Sequence, residues 1–594
     1  MTLSPPGLAT ASPSLVEPTR PPIMYRVTVE QLAFAALTLV MLVVRLVNLG
    51  TQPLAPIEAS TALRAWLVSQ GLGPSLDVGI PALFSLETLT FYLIGAGPKT
   101  WPQLGDAFVR IWPLLASVAT LWVMYDWRRW AGDRASRASG SLTALVAAAL
   151  FALSPLANAF ARRGDGVAFV LLGMALAIAG WGRLQEGDRR GWTLAAVGLG
   201  LALISGPSGV SALLALVVIA VLSRHDAKNW PRPTLIDGIV LLVVVLLGGT
   251  AFLTHLRALG LTALNWSTWL AAFDLAPRTW LWGLIRLVLD EPFLVPVGVL
   301  ATLWLLKRPG PARALGLAAL IIMVVAVLQG PNAADTRAVA ALLFTVPVAT
   351  FLLALVGRLD LRQPETSLYV VVLLLLLTVA FLYLLLSLQN QGSVYVTQMV
   401  VALAAAVVLA VLFGFFLGRK TVLVHTAFVL VIALFLFGLA TARGLGFDPT
   451  PPGFAALYAT DGRFGLRDLA TTLGDLSEMQ KGERWALPVA LVAGSSSDDT
   501  LRWYLRQVPD LQVVHSVDSA NAPPLVVAPG GLEVPLTDRY SGQQFIAWDA
   551  WKLVDGDRRQ TLSWALFRTA PWNLPTEKVV LWADTQLLTP ATAP

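Results

Sequence analysis

Few groups in this 594-residue chain can do chemistry, and most of them sit where a charge is expensive. Glu58 lies in "LAPIEAS" (54–60), with Asp77 further along the same connection. Asp106 and Arg110 open the next apolar stretch. Arg162, Arg163 and Asp165 fall together in "NAFARRGDGVAF". Asp274, Arg278, Arg286, Asp290 and Glu291 share a later connection, and Asp335 and Arg337 stand in "GPNAADTRAVAALL". All lie at the mouths of apolar runs, where ionisable groups are costly and tend to serve a function. Carboxylates mixed with arginines suit a general base beside a site for an anionic leaving group, because a guanidinium binds phosphate oxygens in a planar, bidentate way. Taken singly, each also reads as an interfacial charge satisfied by water or lipid headgroups. The chain has no cysteine, and its four histidines are scattered without ligand spacing. Thiolate sites are therefore excluded, and the histidine spacing speaks against a histidine-rich metal site.

The elements that must position these groups are membrane helices. The sequence is 56% hydrophobic and 13% charged, against about 25% charged in an average soluble chain. Apolar runs near the length of a bilayer span recur throughout, "VVVLLLLLTVAFLYLLLSL" among them. Thirteen spans are expected, near 29–48, 107–126, 140–159, 165–182, 192–205, 208–222, 234–254, 292–306, 314–329, 338–356, 367–387, 396–416 and 422–441. Lys and Arg divide unevenly between alternate connections: 19 in one set, from Arg20 to Lys420, and eight in the other, in longer loops. The positive-inside rule places the first set, and the N-terminus, in the cytoplasm of a plasma-membrane protein. Residues 1–28 read as a flexible, Pro/Ser/Thr-rich cytoplasmic lead-in without a signal-peptide core. The membrane domain is 29–441, with long outer loops at 49–106 and 255–291; tryptophans 266, 269, 280 and 282 suit helices lying in the interface.

After residue 441 the pattern changes. "RWALPVALVAG" (484–494), "LQVVHSV" and "PPLVVAPG" read as strands and "DTLRWYLRQVP" (499–509) as an amphipathic helix. Residues 442–594 are thus expected to form an extracytoplasmic α/β domain with a partly parallel sheet. Gly494 and Ser495–Ser497 between strand and helix read as an ordinary turn, with Asp498 or Asp499 as the cap. The fold class expected is a polytopic α-helical membrane protein carrying this domain at its C-terminus.

The order of these features resembles the glycosyltransferase-C superfamily, in its protein-mannosyltransferase-like branch. The resemblance is carried by "RLVNLG" (45–50), "IEAS" (57–60), "PALFSLETLTFYLIG" (81–95), "DAFVRIWPLLAS" (106–117), "LSPLANAFARRGDGVAF" (153–169), "ISGPSG" (204–209) and "DTRAVAALLFTVPVA" (335–349). In the tail, "TLRWYLRQVPDLQVV" (500–514) is similar to a subgroup of flippase-activity-associated membrane proteins. The resemblance implies an inverting enzyme that moves a sugar from an isoprenoid-phosphate donor to a lipid or protein acceptor at the outer membrane face. It implies catalytic roles for Glu58, as base or metal-adjacent acid, and for Asp165, orienting the acceptor or an arginine or itself supplying the base, with Arg110, Arg162, Arg163, Arg337 and Asp77 around the substrate. A divalent cation would be compatible with this site and is not required. Three departures oppose the reading. Ile57 stands where the family has its aspartate, "GIP" (Gly79, Ile80 and Pro81) lacks the family's histidine, and Ser205 stands near the place of a lysine. The alternative is a glycosyltransferase-C fold kept as a scaffold or auxiliary subunit among other membrane subunits. A transporter is disfavoured, since no matched pair of Gly/Pro-broken spans marks an inverted repeat.

Overall fold

The computed structural model describes residues 28–73, 80–95, 105–131, 137–223, 230–274, 276–308, 310–390, 393–447, 461–462, 464–493, 498–518, 521–549 and 576–587. The chain opens with α1 (Val29–Leu46), capped by the Thr28 side chain on the Gln31 amide. The first long loop carries α2 (Pro56–Ser69) and α3 (Pro81–Ile94), each started by proline at its first position, where no N–H is needed. One turn, α4 (Asp106–Val109), leads into α5 (Ile111–Asp126). Next, α6 (Arg137–Leu153) and α7 (Pro155–Ala161) meet at an angle of 64°. The break follows from Pro155, which cannot donate to the turn before it. Ser154 caps the new helix by accepting from the Ala157 amide.

The membrane body continues through α8 (Val167–Gln185), α9 (Arg190–Leu203), α10 (Ser208–Leu222) and α11 (Leu235–Gly249). The second long loop holds α12 (Leu259–Ala271) and α13 (Pro277–Asp290). It is followed by α14 (Leu294–Leu305), α15 (Pro311–Leu328) and α16 (Ala334–Val356), then α17 (Pro364–Asn390), α18 (Ser393–Leu417) and α19 (Arg419–Phe447). Each of the thirteen expected spans corresponds to a helix or, at α6–α7, to the bent pair. Among the described residues, eight helices are long and apolar enough to cross a membrane, or nine with the bent pair. The other four, α9, α10, α11 and α14, have 12 to 15 residues, fewer than the roughly 17–25 of an ordinary span. The protein is a multi-pass membrane protein.

The last part of the chain forms one six-stranded sheet: β1 (Asp461–Gly462), β2 (Val489–Val492), β3 (Leu511–Val514), β4 (Leu525–Pro529), β5 (Tyr540–Asp549) and β6 (Thr576–Asp584), with α20 (Gly465–Lys481) and α21 (Asp498–Tyr504). The strand order is β1-β5-β6-β4-β2-β3. Strands β3, β2 and β4 pair in parallel, as the strand–helix–strand pattern implies; β6, β5 and β1 add antiparallel. The Gly-Ser turn at 494–497 and Asp77 lie outside the described residues. Asp499, expected as a cap, sits in the first turn of α21 and instead pairs with Arg64 of α2 at 3.1 Å.

That pairing is part of a larger union. Leu54, Leu63, Trp66, Phe84 and Phe91 of the first long loop share one buried apolar cluster with Leu469, Leu501 and Trp503 of the sheet region. The sheet therefore lies against the first long loop, on that face of the membrane body.

Candidate functional site

Glu58 faces the interior from the first turn of α2 and is fully buried, whereas Ile57, one residue back, is 37% exposed. The two differ by about 100° around the helix, so the acid cannot take the direction of the residue at position 57. Its carboxylate receives four donors. Arg110 Nε lies 3.0 Å from Oε1 and Nη2 lies 2.8 Å from Oε2. The Ala55 amide donates to Oε2 at 2.7 Å and the Gly164 amide to Oε1 at 2.5 Å. Burial alone would push the Glu58 carboxyl up, but Arg110, helped by Arg163 and the Ala55 amide, holds it below the usual carboxylate range.

Arg110 is equally committed. Its remaining N–H groups go to the carbonyls of Leu49 (3.2 Å), Gln52 (2.8 Å) and Pro53 (3.0 Å). A guanidinium has five N–H donors, and all five are taken by protein oxygens. Arg110, expected around the substrate, thus spends every donor on protein oxygens. Arg162 is likewise engaged, closing the end of α1 through the carbonyls of Val44, Arg45, Val47 and Asn48 at 2.7 to 3.3 Å. Arg337 belongs to a second buried group. Its Nε lies 2.9 Å from Asp290 Oδ2, Arg286 approaches the same carboxylate at 3.3 Å, and Arg337 also donates to the Gly330 and Pro331 carbonyls.

The loop 162–166 is what this bracing positions. Gly164 comes so close that a Cβ there would meet Val109 Cγ1 at 3.1 Å and Glu58 at 3.6 Å. Gly166 has φ +74°, which favours glycine, and a Cβ would fall 2.4 Å from the Ser205 carbonyl and 2.5 Å from Ile80. Between them, Asp165 is 7% exposed and accepts from the Val167 amide at 3.2 Å. Burial, then the charge of Glu58, pushes the Asp165 carboxyl well above its usual range, with Arg163 opposing. Glu58, Arg110, Arg163 and Asp165 are thus one cluster, joined to Arg162 through the loop.

No family model matches this chain, and no curated protein matches it by sequence. Solved structures do match. ArnT from Cupriavidus metallidurans bound to undecaprenyl phosphate superposes with a TM-score of 0.52 and 16% identity, over 92% of this chain and 97% of that one. The chain has the glycosyltransferase-C fold. The apo state of the same ArnT gives a TM-score of 0.50 with the same identity and coverage. The archaeal oligosaccharyltransferase AglB from Archaeoglobus fulgidus gives 0.43 and 12%, over 83% of this chain and 69% of that one.

Within this glycosyltransferase-C fold two of the departures lie together. Ile80 and Ser205 both border Gly166, the Ala82 amide donates to the Ile204 carbonyl at 3.0 Å, and Ile80 packs with Leu83, Ala116, Ala168 and Phe169. An apolar contact thus borders the loop on the side of the missing polar residues.

Sequence reasoning missed several partners. Glu87 of α3 is buried with neither carboxylate oxygen hydrogen-bonded, and burial, followed by the charge of Glu58, pushes it well above the usual range. Asp106 accepts from Tyr504 at 2.9 Å and from Arg467 at 3.0 Å, both in the sheet region. Glu291 accepts from Ser154 and from the Leu156 amide at the helix break. Asp106 and Glu291 stood among the acids singled out in the sequence, though their partners did not; Glu87 went unnamed, and its one signal was an acid within an apolar segment. Arg45, inside α1, is fully buried and donates through Nε to Asn158 at 2.9 Å. Among the described residues no three His, Asp or Glu side chains converge as cation ligands.

Proposed function

We propose that the protein is a membrane glycosyltransferase that moves a sugar from an isoprenoid-phosphate donor to a lipid or protein acceptor. The proposed reaction takes place at the outer face of the plasma membrane, with the N-terminus in the cytoplasm and the sheet domain (442–594) outside. The observation that carries this reading is the buried loop 162–166, braced by Glu58 and presenting Asp165 beside Arg163. Asp165 has the high proton affinity that suits a general base. In the proposed step it takes the acceptor's proton while the acceptor oxygen bonds to the anomeric carbon. The bond from that carbon to the phosphate breaks, and the isoprenoid phosphate leaves against Arg163. Glu58 has a positioning role: with four donors and a low proton affinity it makes a poor base and a good brace.

A second reading, a scaffold with its chemistry dropped, is favoured by the apolar packing of Ile80 around Gly166 and Ser205. Binding of a polyprenyl phosphate to the purified full chain separates the two. The enzyme reading expects saturable binding that Arg163→Gln weakens about tenfold, the worth of one charge-assisted contact. Wild-type protein that binds no polyprenyl phosphate would leave the scaffold reading standing.

A further inference from the structure

A groove of about 460 Å³ runs between α1, the α6–α7 break and the end of α19. Its walls are apolar, Met41, Val44, Leu153 and Leu439 among them, and its polar lining consists of Asn158 and Arg443. The volume falls within the range of ordinary ligand pockets, roughly 300–1,000 Å³. Along α1 the lining runs from Leu37 to Val44, about 10 Å at the rise of a helix.

The charge around this groove is one-sided. Behind Asn158 stands Arg45, fully buried, whose Nε is bound to the Asn158 side chain while Nη1 and Nη2 have no hydrogen-bond partner. Its guanidinium also lies over the Phe151 ring, 5.7 Å from the centroid. Arg443, exposed, closes the α19 side at the end of that helix's apolar stretch. The sequences of α6, α7 and α19 contain no Asp or Glu, and the one acid of α1, Glu30, is at its far end. Glu291 is the one acid that reaches the break among these described elements; its Oε1 accepts from Ser154 and the Leu156 amide, its Oε2 has no hydrogen-bond partner, and it does not line the groove. A buried guanidinium with unmade hydrogen bonds is costly unless an anion accompanies it.

We propose that this groove is a binding site for an anionic phospholipid. One acyl chain lies along α1 and α19, and the phosphate sits at Arg443 and Asn158, in the field of Arg45. The occupant is assigned to the bulk lipid because α1 and α19 are only 17% and 22% buried, so the groove lies open to the bilayer along its flank. The groove shares no lining residue with the Glu58 cluster, although Arg162 reaches the Val44 and Arg45 carbonyls beside it, and the proposal does not depend on the glycosyltransferase reading.

The test is native mass spectrometry of the delipidated full chain, titrated in turn with phosphatidylglycerol, phosphatidylcholine and a polyprenyl phosphate. Two variants accompany it, Arg443→Gln and Leu439→Trp. Both positions are exposed, so neither change should disturb folding. The expected result is preferential retention of phosphatidylglycerol over phosphatidylcholine, reduced about tenfold in each variant. Equal retention of the two phospholipids would overturn the proposal, as would retention unchanged in both variants. Displacement of phosphatidylglycerol by stoichiometric polyprenyl phosphate, lost in the same two variants, would reassign the groove to the isoprenoid lipid and overturn it too.

Discussion

Glu58 and Asp165 are two acids joined by one loop and driven in opposite directions by their surroundings. Glu58, held low by Arg110, adds stability at pH values above the unfolded carboxylate value of about 4.3, and loses it as pH falls through its folded value. Replacing it by Gln strands the buried Arg110 charge. The expected cost is about 3–5 kcal/mol, seen as a large fall in the thermal midpoint of the detergent-solubilised protein at neutral pH. A midpoint unchanged in Glu58→Gln would refute the brace. Asp165, pushed high, works the other way. Below the unfolded value of about 3.9 it is protonated in both states and costs nothing. The cost accumulates as pH rises from there toward the folded value. Asp165→Asn should therefore raise the midpoint at pH 7 and leave it nearly unchanged at pH 4; a lowered midpoint at pH 7 would contradict this. Sequence spacing was enough to nominate both acids, but it could not assign their roles. Roles depend on which donors the fold delivers, and Arg110 and Gly164 come from 52 and 106 residues away.

At the scale of elements, the sheet domain holds the irregular segment that holds the site. Arg467 of α20 donates to the Gly50 and Thr51 carbonyls and to Asp106. Tyr504 of α21 accepts from the Leu54 amide at 2.8 Å and donates to Asp106. The same segment, 49–53, offers the carbonyls that fix Arg110. Tyr504→Phe leaves the buried Leu54 amide unpaired, a cost of about 1–3 kcal/mol. It should speed proteolytic release of the C-terminal fragment severalfold, while Lys578→Ala on the exposed face of β6 should not; equal rates for the two would contradict the clamp. The three parallel strands were legible as apolar runs separated by a helix. The antiparallel half was not, since β5 opens with the polar, exposed run 541–544 and breaks register between Ile546 and Trp548, so it shows no two-residue period. Four expected spans correspond to helices of only 12 to 15 residues, because hydropathy marks an apolar segment and not the length of helix within it.

For the whole molecule, the order of weak motifs proved informative because order reflects topology, and the topology is that of the glycosyltransferase-C fold. The proposed orientation has its own test, which the cysteine-free sequence makes simple. Glu186→Cys follows the end of α8 remote from Asp165, and Asp538→Cys is exposed in the sheet domain. A membrane-impermeant maleimide on intact cells should label position 538 and not 186, and the reverse pattern would invert the topology. The measurement that bears most directly on the central claim is turnover of polyprenyl-phosphate-linked sugars in membranes from cells lacking this protein, supplemented with purified wild-type chain or Asp165→Asn. Consumption of a donor with wild type, cut at least about a hundredfold by Asp165→Asn, is the expected result for loss of a general base. Equal restoration by both proteins would contradict a catalytic Asp165 and identify the fold as a scaffold for another enzyme.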